Sequence, residues 1–297
     1  MYKIITDGGC DFSDAEVKVY NIDVVPFYIT FDGSTFLKEG IDITKEDYFQ
    51  RLRGDKNLFP KTSQPNPQDY IDAYTPYLKA GRDILSLTIS SKLSGSHTSA
   101  TLAAQMLKEE YPDRTVAIVD SLSVTIGQGL IMKEIIRMRD AGYSLERTVA
   151  LAEKVRATTN VYFTLDSLEY LKKGGRVGPT TAFVGGILGL RPILQVQDGQ
   201  VSQLDNVRGK NRAVKLMEEA IADALADEKH NISMCVGHIL SEPDAVNFKA
   251  NTEAALGVKI TSPITGIGAT VGTHAGPGAL GFAYCKRYDA IELRKAA

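Results

Sequence analysis

The chain contains no tryptophan, three cysteines and four histidines among its 297 residues. Cys10, Cys235 and Cys285 lie far apart and form no CxxC pair, which argues against both a disulfide framework and a zinc ribbon. The scattered histidines give no His-cluster metal centre. Neither sign of charge is in excess: 34 Lys plus Arg against 36 Asp plus Glu leave a net charge of −2. Nothing in that balance recruits nucleic acid. The phosphate-binding pattern GxxxxGK[ST] and the nucleophile elbow GxSxG are both missing. Long apolar runs are missing too. The one uncharged stretch, Ile260 to Cys285, is broken by six glycines and two prolines and cannot hold a spanning helix. Asp7 leaves no room for a signal-peptide apolar region, so a cytoplasmic location is expected. Without indole, ligand binding has to be followed by tyrosine signal or mass.

What is present is an ordinary globular composition, 43% apolar and 24% charged. At roughly 150 residues per domain the length suggests two domains. In the first half, short apolar runs alternate with helical patterns. Lys3–Asp7, Asp23–Phe31, Ile84–Ile89 and Val116–Val119 read as strands. Thr44 caps a helix over 45–53, Asn66-Pro67 opens one to Lys79, and helices follow over 94–110, 127–140 and 145–158. Such alternation implies a parallel sheet, with Asp7, Ser90 and Asp120 just past its strand ends, where open α/β sheets bind ligands. In the second half, Arg191–Val196, an Asp198-Gly199 turn and Val201 onward form a hairpin. A helix follows with Leu216, Ala220 and Leu225 on its apolar side, then strands over 232–239, 258–264 and 282–288. The expected architecture is α/β in two units. Residues 1–163 form a parallel sheet flanked by helices, and 164–297 an α+β domain with a largely antiparallel sheet.

Gly276–Gly281 matches the dinucleotide spacing GxGxxG, but a β-like run follows where that motif needs a helix. Three other segments join Gly or Pro to hydroxyl or imidazole groups: Lys61–Pro67, Ser90–His97 and Gly272–Gly278. Each taken singly reads as a capped loop or a buried turn. Together they favour a bound anion, and their lack of permanent charge suits a carboxylate better than a polyphosphate. Thr181–Leu190, apolar and rich in small residues, fits either a lipid tunnel wall or plain core. A Ser94–His274–Asp7 hydrolase triad is available on residue types alone, but triads are recognised by geometry.

The order of five segments is more specific than any one of them. Thr62-Ser63-Gln64-Pro65, Ser90-Ser91-Lys92-Leu93-Ser94-Gly95, Val119-Asp120-Ser121, Leu171-Lys172-Lys173-Gly174-Gly175-Arg176 and Thr273-His274-Ala275-Gly276-Pro277-Gly278 resemble motifs of the DegV family. That family includes the fatty-acid-binding subunits of bacterial fatty acid kinase, and the resemblance runs end to end. It departs at Asp7-Gly8-Gly9-Cys10-Asp11, where Gly8 stands in place of the family's first serine. The resemblance implies one long-chain fatty acid between two domains as ligand, with no cofactor and no metal. Thr62, Ser94 and His274 would hold its carboxylate, assisted by the Gly95 N–H. A protonated His274 would make retention pH-sensitive. Phe183, Ile187 and Leu190 are candidates for the tunnel wall. The resemblance also implies a separate ATP-binding kinase subunit as partner, docked at Arg176 and Arg208, and phospholipid metabolism as the setting. Neither nucleic acid nor a membrane span is implied, and at most a transient membrane contact. A Ser94/His274 acyl hydrolase and a lipid carrier or sensor without a kinase partner remain as alternatives.

Overall fold

The computed structural model describes residues 2–55, 58–176, 190–226 and 228–296. The first half runs β1 (Lys3–Asp7), α1 (Asp14–Tyr20), β2 (Ile22–Val25), β3 (Tyr28–Thr30), β4 (Leu37–Lys38), α2 (Lys45–Gly54) and β5 (Lys61–Ser63). It continues through α3 (Pro67–Lys79), β6 (Ile84–Thr88), α4 (Ser96–Glu110), β7 (Val116–Asp120), α5 (Thr125–Asp140) and α6 (Leu145–Arg156). The second half runs β8 (Asn160–Thr164), α7 (Glu169–Gly174), β9 (Leu190–Gln197), β10 (Gln200–Arg208), α8 (Lys210–Leu225) and β11 (Ile232–His238). It ends with α9 (Glu242–Leu256), β12 (Thr265–Gly266), α10 (Ala269–Ala275), β13 (Leu280–Lys286) and α11 (Tyr288–Ala296).

These strands make an α/β fold. A parallel sheet, ordered β2-β1-β6-β7, carries the first half. A six-stranded sheet, β10-β9-β8-β13-β11-β12, carries the second and is antiparallel except where β12 joins β11. A small sheet, β4-β3-β5, stands beside the first. Helix starts follow the side-chain caps: Thr44 accepts from Asp47 N, and Asn66 and Asp69 form a reciprocal capping box before Pro67.

The structure revises several expectations. The extended segment 23–31 is two strands, because Pro26 has no N–H to continue the ladder; β2 stays in the parallel sheet and β3 leaves it. Residues 258–264 form no strand. Pro263 interrupts them, and only Thr265–Gly266 pairs with β11. The buried stripe of α8 is Ala213, Met217, Ile221 and Leu225, with Leu216 and Ala220 half-buried beside it. β8 pairs with β9 and β13, so the chain crosses between sheets at residues 157–159 rather than after 163.

Helix α5 belongs to both halves. Gln128 donates to Thr6 Oγ1 and Asp7 Oδ1 of β1, whereas the buried Glu134 accepts from Ser233 of β11 and from Tyr288 N. Accordingly α5 is buried on almost every face. All three cysteines are buried as free thiols.

Candidate functional site

Helix α10 is the spine of the site. Its last turn carries His274, and the loop before it carries Ile267; Thr270, Val271 and Ala275 face the same interior space. That space is a cavity of about 890 Å³, its mouth included. Val124 and Ile126 of α5 and its preceding loop, Val161 and Phe163 of β8, and Leu280 and Gly281 of β13 close other sides. The hairpin β9–β10 adds Val196 and Val201. Most of the wall is aliphatic or aromatic.

Polar groups gather at the His274 end. His274 Nε2 lies 2.8 Å from Thr62 Oγ1, which β5 presents. Two residues along, Gln64 Oε1 accepts the Gly95 N–H at 2.8 Å. Ser94 Oγ accepts from Ser96 N, leaving its own proton to donate. Arg176 reaches across this end, Nε donating to Leu93 O and Nη1 to Gly174 O. Thr62, Gln64, Ser94, Arg176 and His274 all line the cavity.

Two glycines are set by close approach. A Cβ on Gly174 would collide with His274 Nδ1, and one on Gly95 with the Gln64 amide. His274 Nδ1 is buried and has no hydrogen-bond partner among the described residues. Burial, then the charge of Arg176, lower the His274 pKa to about 4. The imidazole is therefore neutral at physiological pH, so the charge-assisted, pH-sensitive retention that a protonated His274 would give does not apply. The cation at this end is Arg176, whose own pKa burial lowers.

The expected site residues are distributed as follows. Thr62, Ser94, Gly95 and His274 come together; the Gly95 N–H, expected to be free for a ligand, is held by Gln64. Arg176 sits on the cavity wall rather than apart on the surface, while Arg208 ends β10 exposed. Leu190 begins β9 and is not part of the lining. Phe183 and Ile187 lie outside the described residues. Gln64 and Gly174 lie within motifs that resemble the family's, and the sequence assigns neither of them a role. Thr125 and Thr270, also on the wall, carried no sequence signal.

The strand ends that were expected to bind ligand are occupied by the protein. Asp7 is fully buried and accepts from Gly9 N, Ile89 N, Ser96 Oγ and Gln128 Nε2. Burial raises its pKa against these four donors. Ser90 donates to Gly199 O, and Asp120 accepts from Ser91 N and Leu122 N. Because Asp7 bonds to Ser96 and His274 to Thr62, the Ser94–His274–Asp7 triad is not assembled. Gly276 and Gly278, with φ of +75° and +80°, turn the chain from α10 into β13, so the GxGxxG match opens no helix. A Cβ at Gly8 would lie 3.5 Å from Phe27 Cδ2, so the departure from the family pattern occupies ordinary space. Among the described residues no group of three or more His, Cys, Asp or Glu is placed to hold a metal, and no helix is long and apolar enough to cross a membrane.

Known proteins share this arrangement of chain. A stearic-acid-binding protein from Eubacterium ventriosum superposes with a TM-score of 0.94 at 31% identity, covering 98% of this chain and 100% of its own. A fatty-acid-binding DegV family protein from Thermus thermophilus gives 0.85 at 31% identity, covering 96% and 99%. A DegV domain-containing protein of Caldanaerobacter subterraneus is 33% identical over 281 residues, 94% of this chain and 96% of its own. The model of the DegV family, which is described as uncharacterised, matches residues 1–287. The chain is thus a member of the DegV family.

Proposed function

We propose that the chain binds one long-chain fatty acid and presents its carboxylate to a separate ATP-binding kinase subunit, which converts it to an acyl phosphate. The observation that carries the binding half is the cavity: an apolar interior with hydroxyl, amide, imidazole and guanidinium groups gathered at the His274 end. Burying some 15 methylenes at about 0.8 kcal/mol each offers on the order of 12 kcal/mol before binding entropy is subtracted. A bare buried carboxylate would forfeit several kcal/mol of that, so it needs donors on several sides. In this reading Thr62, Ser94 and His274 supply neutral hydrogen bonds, and Gly95 N–H joins them as the Gln64 amide moves aside. Arg176, first assigned to docking, supplies the charge. The related proteins from Eubacterium ventriosum and Thermus thermophilus, described as binding stearic acid and fatty acid, support this reading.

The presenting half rests on the family resemblance and on the absence of a phosphate-binding motif from the sequence. It leaves Arg208, exposed at the end of β10, as the docking cation. Mass spectrometry of the purified chain, native and after organic extraction, tests the binding half. One fatty acid per chain is expected, and His274→Ala should lower that content. A chain that is empty and takes up no added oleate or palmitate would overturn the reading. Arg208→Glu, assayed with the kinase subunit, should abolish acyl-phosphate formation with lipid still bound. Undiminished turnover would place the docking surface away from Arg208, and absence of turnover with the unaltered chain would favour a carrier without a kinase partner.

A further inference from the structure

We propose that Gly237, which does not line the cavity, sets how far its wall recedes at the α10 N-terminal end, and thereby the length of acyl chain accepted. This rests on the fatty acid reading above. The seven residues of α10 run roughly 10 Å along one wall of the cavity. At one end stand His274 and the polar groups around it; at the other, Ile267 meets Ile126 of α5.

Both isoleucines lie over Gly237. A Cβ there would be 2.9 Å from Ile126 Cγ2, 3.3 Å from Ile126 Cδ1 and 3.3 Å from Ile267 Cδ1. Gly237 of β11 is the cross-strand partner of Gly281 of β13. Such partners face the same side of a sheet, and a Cβ on Gly281 would also approach Ile126 Cδ1, at 3.7 Å. Two adjacent strands therefore present hydrogens where their neighbours present side chains, and Ile126 settles into the resulting trough. Gly237 is not in the left-handed region, so space rather than backbone freedom accounts for glycine here. Close-packed interiors transmit such changes. A side chain at 237 lifts Ile126 off the sheet, toward the cavity that it lines.

The test uses the whole protein as Gly237→Ala, Gly237→Val and Ile126→Ala. Bound fatty acid is extracted and weighed, and each variant is then offered straight-chain saturated acids of increasing length. The expected result is a shift of Gly237→Val toward shorter acids, a smaller shift of Gly237→Ala in the same direction, and a shift of Ile126→Ala toward longer ones. If Gly237→Val fails to fold, the other two still move in opposite directions. Unchanged length profiles, or equal loss of binding at every length, would overturn the proposal while leaving fatty acid binding intact. A wild-type chain that binds no fatty acid would overturn the functional reading, and this proposal with it.

Discussion

His274 and Asp11 are half-buried titratable groups with opposite consequences for pH. The His274 pKa of about 4 lies below the ordinary histidine value of about 6.5. As pH falls through that window the unfolded chain takes up the proton first, so His274 withdraws stability between about pH 6.5 and pH 4. Its ring proton resonances should accordingly hold still from about pH 8 to about pH 5.5, followed by NMR; titration near pH 6.5 would contradict the burial. Asp11 is pushed up to about 7 by burial, with Glu39 adding to the shift while the Gly268 N–H and Lys45 oppose it. The folded chain then holds a proton that the unfolded chain lacks, and the associated stability is lost as pH rises through 7. Asp11→Asn should therefore gain on the wild type by about 2 to 3 kcal/mol between about pH 5 and pH 8, read by denaturant unfolding. Thr62, Ser94 and His274 were legible as a set because their motifs recur in order. What each does was less so. The neutrality of His274 comes from burial and then from Arg176, nearly a hundred positions away in sequence, and no local pattern carries that.

Hairpin β9–β10 illustrates how an element closes the site. Its tip, with Asp198 and Gly199 both at positive φ, is latched to the first sheet by the 2.7 Å bond from Ser90 Oγ to Gly199 O. Val196 and Val201, flanking that tip, line the cavity. Ser90→Ala removes the latch at a loss of about 1 kcal/mol. Amide exchange at 196–201 should quicken, and a fatty acid bound as proposed should exchange faster. Unaltered exchange would show that packing alone holds the hairpin. The Asp-Gly signal made this hairpin readable from sequence, as capping residues did for α2 and α3. The failures are just as specific. Pro26 and Pro263 each sit inside a β-branched run that propensity counts as one strand, and a proline ends a ladder only where its N–H was needed. On α8 the apolar residues are frequent enough that two adjacent stripes compete; the sheet beneath selected Met217 and Ile221.

At the scale of the molecule, the cavity draws its walls from the second sheet, from α10, and from β5, α5 and the loops after β2 and β6 in the first half, so an occupant would tie distant segments together. In the proposed fatty acid reading, removing the lipid should lower the melting temperature, and adding it back should restore it. Free ligand at a hundredfold its dissociation constant contributes about 2.7 kcal/mol. A melting temperature indifferent to lipid would mean that the folded chain does not bind it. The two sheets were legible from the alternation of strands and helices in one half and the hairpin pattern in the other. Their junction was not, because β8 follows a helix of the first sheet in sequence and pairs only with strands of the second. The same junction gives α5 its character. With Gln128 bonded to β1, Glu134 bonded to Ser233 of β11, and apolar residues buried between, this helix keeps only a narrow outside. Neither half is then a stand-alone product: a chain cut after 163 would carry α5 with one flank stripped, and the remainder would expose the strands that α5 covers. Evolution and engineering alike can exchange the loops of such a protein, but they must inherit its two sheets together.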